Sequence, residues 1–72
     1  MKIIVNLDVM LARRKMRLKE LAKTIGLSEQ ALSTLKTNKV KGIRFDTLIK
    51  ICDTLDCQPG DILEFDRGEN DG

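Results

Sequence analysis

Residues Leu18 to Thr37, LKELAKTIGLSEQALSTLKT, constrain the fold of this chain more tightly than any other stretch. Leu21, Ala22 and Ile25 recur at spacings near 3.6 residues and so share one face of a helix. Gly26 ends that helix, because the left-handed conformation that commonly closes a helix is cheap only for glycine. Ser28, two residues on, is a good N-cap for a second helix. Leu32 and Leu35, three residues apart, are its apolar stripe. So short a turn makes the two helices cross sharply and pack together. Ala22 is small where the second helix crosses closest, and Leu27 is expected to plug the gap between them.

Two helices joined in this way form a helix-turn-helix, whose usual use is to lay its second helix in the DNA major groove. The same spacing also suits a helical hairpin in a protein-interaction module, an antitoxin-like or anti-repressor partner that keeps the fold. That alternative is separable from DNA reading by a duplex-binding test, since a DNA reader binds any duplex weakly and in a salt-sensitive way.

Leu21, Ala22, Ile25, Gly26, Leu27, Leu32 and Leu35 coincide with the apolar and glycine positions of phage Cro and repressor-type regulators, the XRE family, which this stretch resembles. KELAKTIGLSEQALSTLKTNK is similar to that family's ELA…GLS…LS…KNGK pattern. Phe45-Asp46-Thr47-Leu48 with Ile51 to Cys57 resembles its next helix, and Pro59-Gly60-Asp61-Ile62-Leu63 its last. The likeness runs from about Leu7 to Leu63. It implies a mainly α, lambda-repressor-like domain of four to five helices that acts as a homodimer on duplex DNA. Family members often carry Thr-Gln before the ELA segment, the Gln lying near phosphates and base edges. Arg17-Leu18 stands there in this chain, so that contact is absent and the cap is poorer.

Seventy-two residues make one domain, expected to be a helix-turn-helix unit over 1–66 with a flexible acidic tail at 67–72. A chain this short buries only about 60% of its unfolded surface, so its stability is modest unless it associates. Aromatic content of 3%, Phe45 and Phe65, requires an aliphatic core. The absence of histidine removes the commonest general base and metal ligand, and no nucleophile-base arrangement stands out. The two cysteines, Cys52 and Cys57, cannot complete a zinc site. Reduced thiols are the expectation, with Cys52 a small buried hydrophobe on its helix stripe. No catalytic residue, metal, cofactor or small-molecule ligand is therefore assigned. No apolar run approaches 18 residues and no signal-peptide pattern is present, which reads as a cytoplasmic protein with no membrane partner.

The net charge of +2 conceals an asymmetry. Residues 1–50 carry twelve Lys and Arg against four acids, a net +8, whereas residues 51–72 carry one Arg against seven acids, a net −6. A basic body with an acidic end suits a polyanion partner for the body.

Lys2 to Val5 is β-branched and short, a strand. Asn6 is placed to cap a helix over Leu7 to Lys15, with Leu7, Met10 and Leu11 on one face. Its basic end, Arg13-Arg14-Lys15, suits either the helix dipole or a phosphate. Asn38 to Ile43 connects onward, and in the resembled family this connection runs along the sugar-phosphate backbone. Asp46 to Leu55 is a further helix with Leu48, Ile51, Cys52 and Leu55 as its stripe. Pro59 suits a first helical position, and Leu63-Glu64-Phe65 is extended with Leu63 and Phe65 on one face. A lone strand is unstable, so the two terminal strands are expected to pair.

The candidate DNA-reading side chains lie on the outward face of the second helix: Ser28, Glu29, Gln30, Ser33, Thr34 and Thr37. Gln30 can bond adenine bidentately, while Ser33 or Thr34 can reach base edges or a thymine methyl. Glu29 could accept from cytosine N4 or simply favour the helix N-terminus. Arg17, Lys36, Lys39 and Lys41 are the candidate phosphate contacts.

Overall fold

The computed structural model describes residues 1–37 and 42–68. In chain order they form β1 (Lys2–Val5), α1 (Leu7–Arg13), α2 (Leu18–Ile25), α3 (Glu29–Lys36), α4 (Phe45–Leu55), α5 (Pro59–Ile62) and β2 (Leu63–Asp66). Among the described residues the architecture is mainly α, five helices with the first and last elements, β1 and β2, paired. β1 and β2 pair antiparallel, with Lys2 opposite Asp66, Ile3 opposite Phe65, Ile4 opposite Glu64 and Val5 opposite Leu63. The Lys2–Asp66 pair sets opposite charges across the ladder, a favourable arrangement.

Asn6 extends this pairing instead of capping α1. Its backbone N–H donates to the Ile62 carbonyl at 2.6 Å. Its side-chain Nδ2 donates to Glu64 Oε1 at 3.0 Å, and no side-chain cap bond forms at α1. A carboxylate on the neighbouring strand is a stronger acceptor partner for the amide than a helix end is for its oxygen. α1 is also shorter than its basic tail suggested: it stops at Arg13, and Lys15 takes a positive φ of 53°.

The core is aliphatic throughout. Val5, Leu7, Met10, Leu11, Leu21, Ala22, Ile25, Leu32, Leu35, Leu48, Ile51, Leu55 and Ile62 are buried, with no buried polar residue among the described ones. α3 and α4 both pack on α2, and α1 packs on α3 and α5. Leu32 has no exposed surface, so one α3 side chain is wholly enclosed by this arrangement. Phe45 and Phe65 stand outside the core, 79% and 53% exposed.

Cys52 and Cys57 are free thiols, each half-buried rather than fully buried. Burial first, and then the neighbouring Cys52, push the Cys57 thiol pKa up. Among the described residues no helix is long and apolar enough to cross a membrane. Asp66 belongs to β2, and residues 69–72 of the acidic tail lie outside the described residues.

Candidate nucleic-acid interface

The geometry of the site begins at the end of α2. Gly26 adopts φ 78°, and both its N–H and that of Leu27 donate to the Ala22 carbonyl, at 2.9 and 3.0 Å. The chain is thereby turned within two residues, and Ser28 is already extended at φ −77°, ψ 155°. The Ser28 hydroxyl accepts from the Ala31 N–H at 3.0 Å and starts α3. Turn and cap therefore fix the angle at which α3 leaves α2. Leu27 is not the plug it was expected to be. It is 36% exposed, whereas Leu21, Ile25 and Leu32 are buried.

Leu32 and Leu35 anchor one side of α3 in the core. At about 100° per residue, Gln30 and Thr37 fall on the opposite side, with Ser33 and Thr34 flanking them. Gln30 and Thr37 are exposed, whereas Ser33 and Thr34 are half-buried. The threonine hydroxyl protons are already spent. Thr34 Oγ1 donates to the Gln30 carbonyl at 2.9 Å, and Thr37 Oγ1 donates to the Ser33 carbonyl at 2.9 Å. Each threonine therefore presents hydroxyl lone pairs and a methyl group, not a donor. The Ser28 hydroxyl is the reverse case: its oxygen accepts from the backbone and its proton is left to donate.

Glu29 is exposed in the first turn of α3, where a carboxylate complements the helix dipole. Lys36 is half-buried in the last turn. Arg17 is exposed at the start of α2, where its backbone N–H donates to Glu20 Oε1 at 2.9 Å. A guanidinium has no acceptor, so Arg17 makes no side-chain cap bond, as its residue type implied. Lys39 and Lys41, with Asn38, lie outside the described residues.

Two features were not read from the sequence. Ala31 is exposed on α3 although at about 100° per residue it falls next to Leu35. Arg14, considered above as a dipole complement or phosphate contact, instead reaches across the fold. Its Nε donates to the Leu55 carbonyl at 2.6 Å and its Nη2 to the Asp56 carbonyl at 3.0 Å. Two orphan carbonyls at the end of α4 are satisfied in this way, 41 and 42 residues away in the chain.

A sharp two-helix unit, capped at both sides of its turn and presenting a polar helix face, is the helix-turn-helix of DNA-binding transcriptional regulators. The chain belongs to the Cro/C1-type HTH DNA-binding domain family, whose model matches residues 6–68. It is 53% identical, over all 72 residues and 86% of the relative, to the uncharacterized HTH-type transcriptional regulator YozG of Bacillus subtilis (strain 168). Its fold is similar to that of a Bacteroides fragilis protein assigned to DNA binding. The TM-score is 0.77 at 26% identity, over 86% of this chain and 98% of that one. It is also similar to the transcriptional regulator VanUg, with TM-score 0.72 and 30% identity over 88% of this chain and 83% of that one.

Proposed function

We propose that this protein is a cytoplasmic, non-enzymatic repressor that binds a specific duplex DNA site as a homodimer and reads the major groove with α3. The observation that carries the reading is the division of α3 into a side locked in the core by Leu32 and Leu35 and an opposite side bearing Gln30, Ser33, Thr34 and Thr37. The family and the basic body support the choice of DNA as partner. One recognition helix spans few base pairs, and a two-fold pair of them about one helical turn apart reads enough for a unique site.

Each side chain then has a role set by its hydrogen bonding. Gln30, exposed, bonds an adenine edge bidentately. Thr34 and Thr37, with their protons committed, accept from adenine or cytosine amino groups or touch thymine methyls. Ser33 offers a hydroxyl on the same side. Ser28 donates to a phosphate at the start of α3, and Arg17, Lys36, Lys39 and Lys41 hold further phosphates. Glu29 complements the α3 dipole. In this reading residues 1–66 form the DNA-binding unit and 67–72 an acidic tail.

Selection of bound duplexes from a random pool gives the site, after which two groups of substitutions should behave differently. Gln30→Ala or Thr34→Ala should cost about 1–3 kcal/mol on the selected site and relax preference at one or two base pairs. Lys39→Ala or Lys41→Ala should weaken binding to all duplexes alike and flatten the slope of log affinity against log salt by about one unit per lost contact. Unchanged sequence preference in folded Gln30→Ala and Thr34→Ala would remove α3 as the reading element.

A further inference from the structure

The end of α4 holds the two cysteines of the chain side by side. At the ends of both α2 and α4 a left-handed residue is followed by one whose N–H returns five residues to a helix carbonyl. Leu27 bonds Ala22 and Cys57 bonds Cys52, each at 3.0 Å. Such a closure is commonly accompanied by contact between side chains at these places, as a rule apolar ones. Ala22 and Leu27 are a pair of that kind. Cys52 and Cys57 put two soft sulfur donors in the same places. The 3.0 Å bond and standard bond lengths keep their Cα atoms within about 7 Å of each other. The Cys52 side chain is also a hydrogen-bond partner of Cys57. Both thiols are free and half-buried, and both line an open cavity of about 480 Å³, so an ion has a path to them.

We propose that Cys52 and Cys57 form a site for one soft monovalent metal ion, of the cuprous type, held in linear coordination between the two sulfurs. Donor number and donor kind make the choice. A structural zinc takes four ligands, and among the described residues no group of three or more His, Cys, Asp or Glu could hold a metal ion. Calcium and magnesium take oxygen ligands. A thiolate pair without a third donor matches a soft cation that is satisfied by two ligands, and sulfur donors select cuprous ion. The rest of the cavity lining is apolar apart from Gln58, whose amide oxygen is a hard donor. Binding exchanges the two thiol protons for the ion. Two RSH and one cuprous ion give RS–Cu–SR with a single negative charge, two protons leave, and no electron is transferred. The Arg14 guanidinium, bonded to the Leu55 and Asp56 carbonyls between the two cysteines, offsets that charge. The net −6 of residues 51–72 favours the approach of a cation. Neither cysteine is among the residues proposed to touch DNA.

Anaerobic titration of the full, reduced chain with cuprous ion, with bicinchoninate as the coloured competitor, tests the site. The parent protein should take up one ion per chain. Its melting temperature should rise, since a ligand held by the folded state stabilises it. Cys52→Ser and Cys57→Ser, close in size to the residues they replace, should each weaken uptake at least about a hundredfold, because even the loss of an outer-shell partner costs about 10–100-fold. Melting curves without metal identify a variant that fails to fold. Cys57→Ser with Lys50→Cys keeps two thiols in the chain but puts the second about 200° around α4 from Cys52, and it should not restore uptake. A parent protein that leaves the ion with the competitor would overturn the site. So would uptake by either serine variant at the parent's affinity, one ion shared between two chains, or a melting temperature that cuprous ion leaves unchanged. Restoration by Lys50→Cys would also overturn it, since any two thiols would then serve.

Discussion

α2 and α4 end in the same backbone geometry by different means. Each closes with a left-handed residue, Gly26 at φ 78° and Asp56 at φ 52°. In each the N–H of the very next residue reaches back to a helix carbonyl, Leu27 to Ala22 and Cys57 to Cys52, both at 3.0 Å. At α2 the residue type does the work: glycine has no Cβ to strain, and the end is finished by its own neighbours. At α4 an aspartate occupies the strained position, and Arg14 from α1 supplies two further hydrogen bonds to the Leu55 and Asp56 carbonyls. One end is a property of four or five consecutive residues. The other exists only because two helices far apart in sequence meet. The unit that presents the proposed reading helix is therefore capped independently of the rest, whereas the α4 end is tied to the body through α1.

Substitutions can break that comparison, and the largest effect should come at the local end. Gly26→Ala meets no atom within 4 Å, so its cost is backbone strain alone. It should lower unfolding stability in urea by about 1–2 kcal/mol, the penalty for holding an L-residue left-handed. A neutral result would mean that the turn tolerates another conformation and does not fix the α2–α3 angle.

Arg14→Met keeps the length of the side chain and removes its donors. Stability should fall by about 1 kcal/mol, below the usual range for bonds to a charged group because one of the two is exposed. Hydrogen-exchange protection should drop at the end of α4 and stay unchanged at the end of α2. Equal loss at both ends would show that Arg14 supports the whole fold and not one helix terminus.

Asp56→Gly should act in the opposite direction and least of all. Relief of the left-handed strain is largely offset by the greater freedom of glycine in the unfolded chain, leaving a gain under about 1 kcal/mol. Thermal melting resolves the sign. A loss of stability would mean that the aspartate side chain supports the turn beyond its backbone conformation.

The same contrast explains how much could be read in advance. α2, the Gly26 stop, the Ser28 cap and α3 were all legible, since each depends on residues within one turn of helix and on apolar spacing. The pairing of the terminal strands followed from the instability of a lone strand, and its register places Val5 and Leu63 together at the bundle. On the candidate site, the exposure of Gln30 and the commitment of Ser28 to the α3 cap were within reach of the sequence. The half-burial of Ser33 and Thr34 was not, because neighbouring elements contribute to it.

By itself, then, the sequence determined which segments are helices, where the two-helix unit turns and which side chains anchor α2 and α3 in the core. Those outcomes rest on local backbone preference and on periodicity, which act before any distant residue is in place. Only the tertiary structure decided that Asn6 bonds Glu64 instead of capping α1, that Arg14 serves α4, and that Leu27, Phe45 and Ile49 stay outside. A polar side chain takes the best partner within reach and an apolar one is covered only if another element passes over it. Both are settled by which surfaces meet, and no spacing within one helix encodes that.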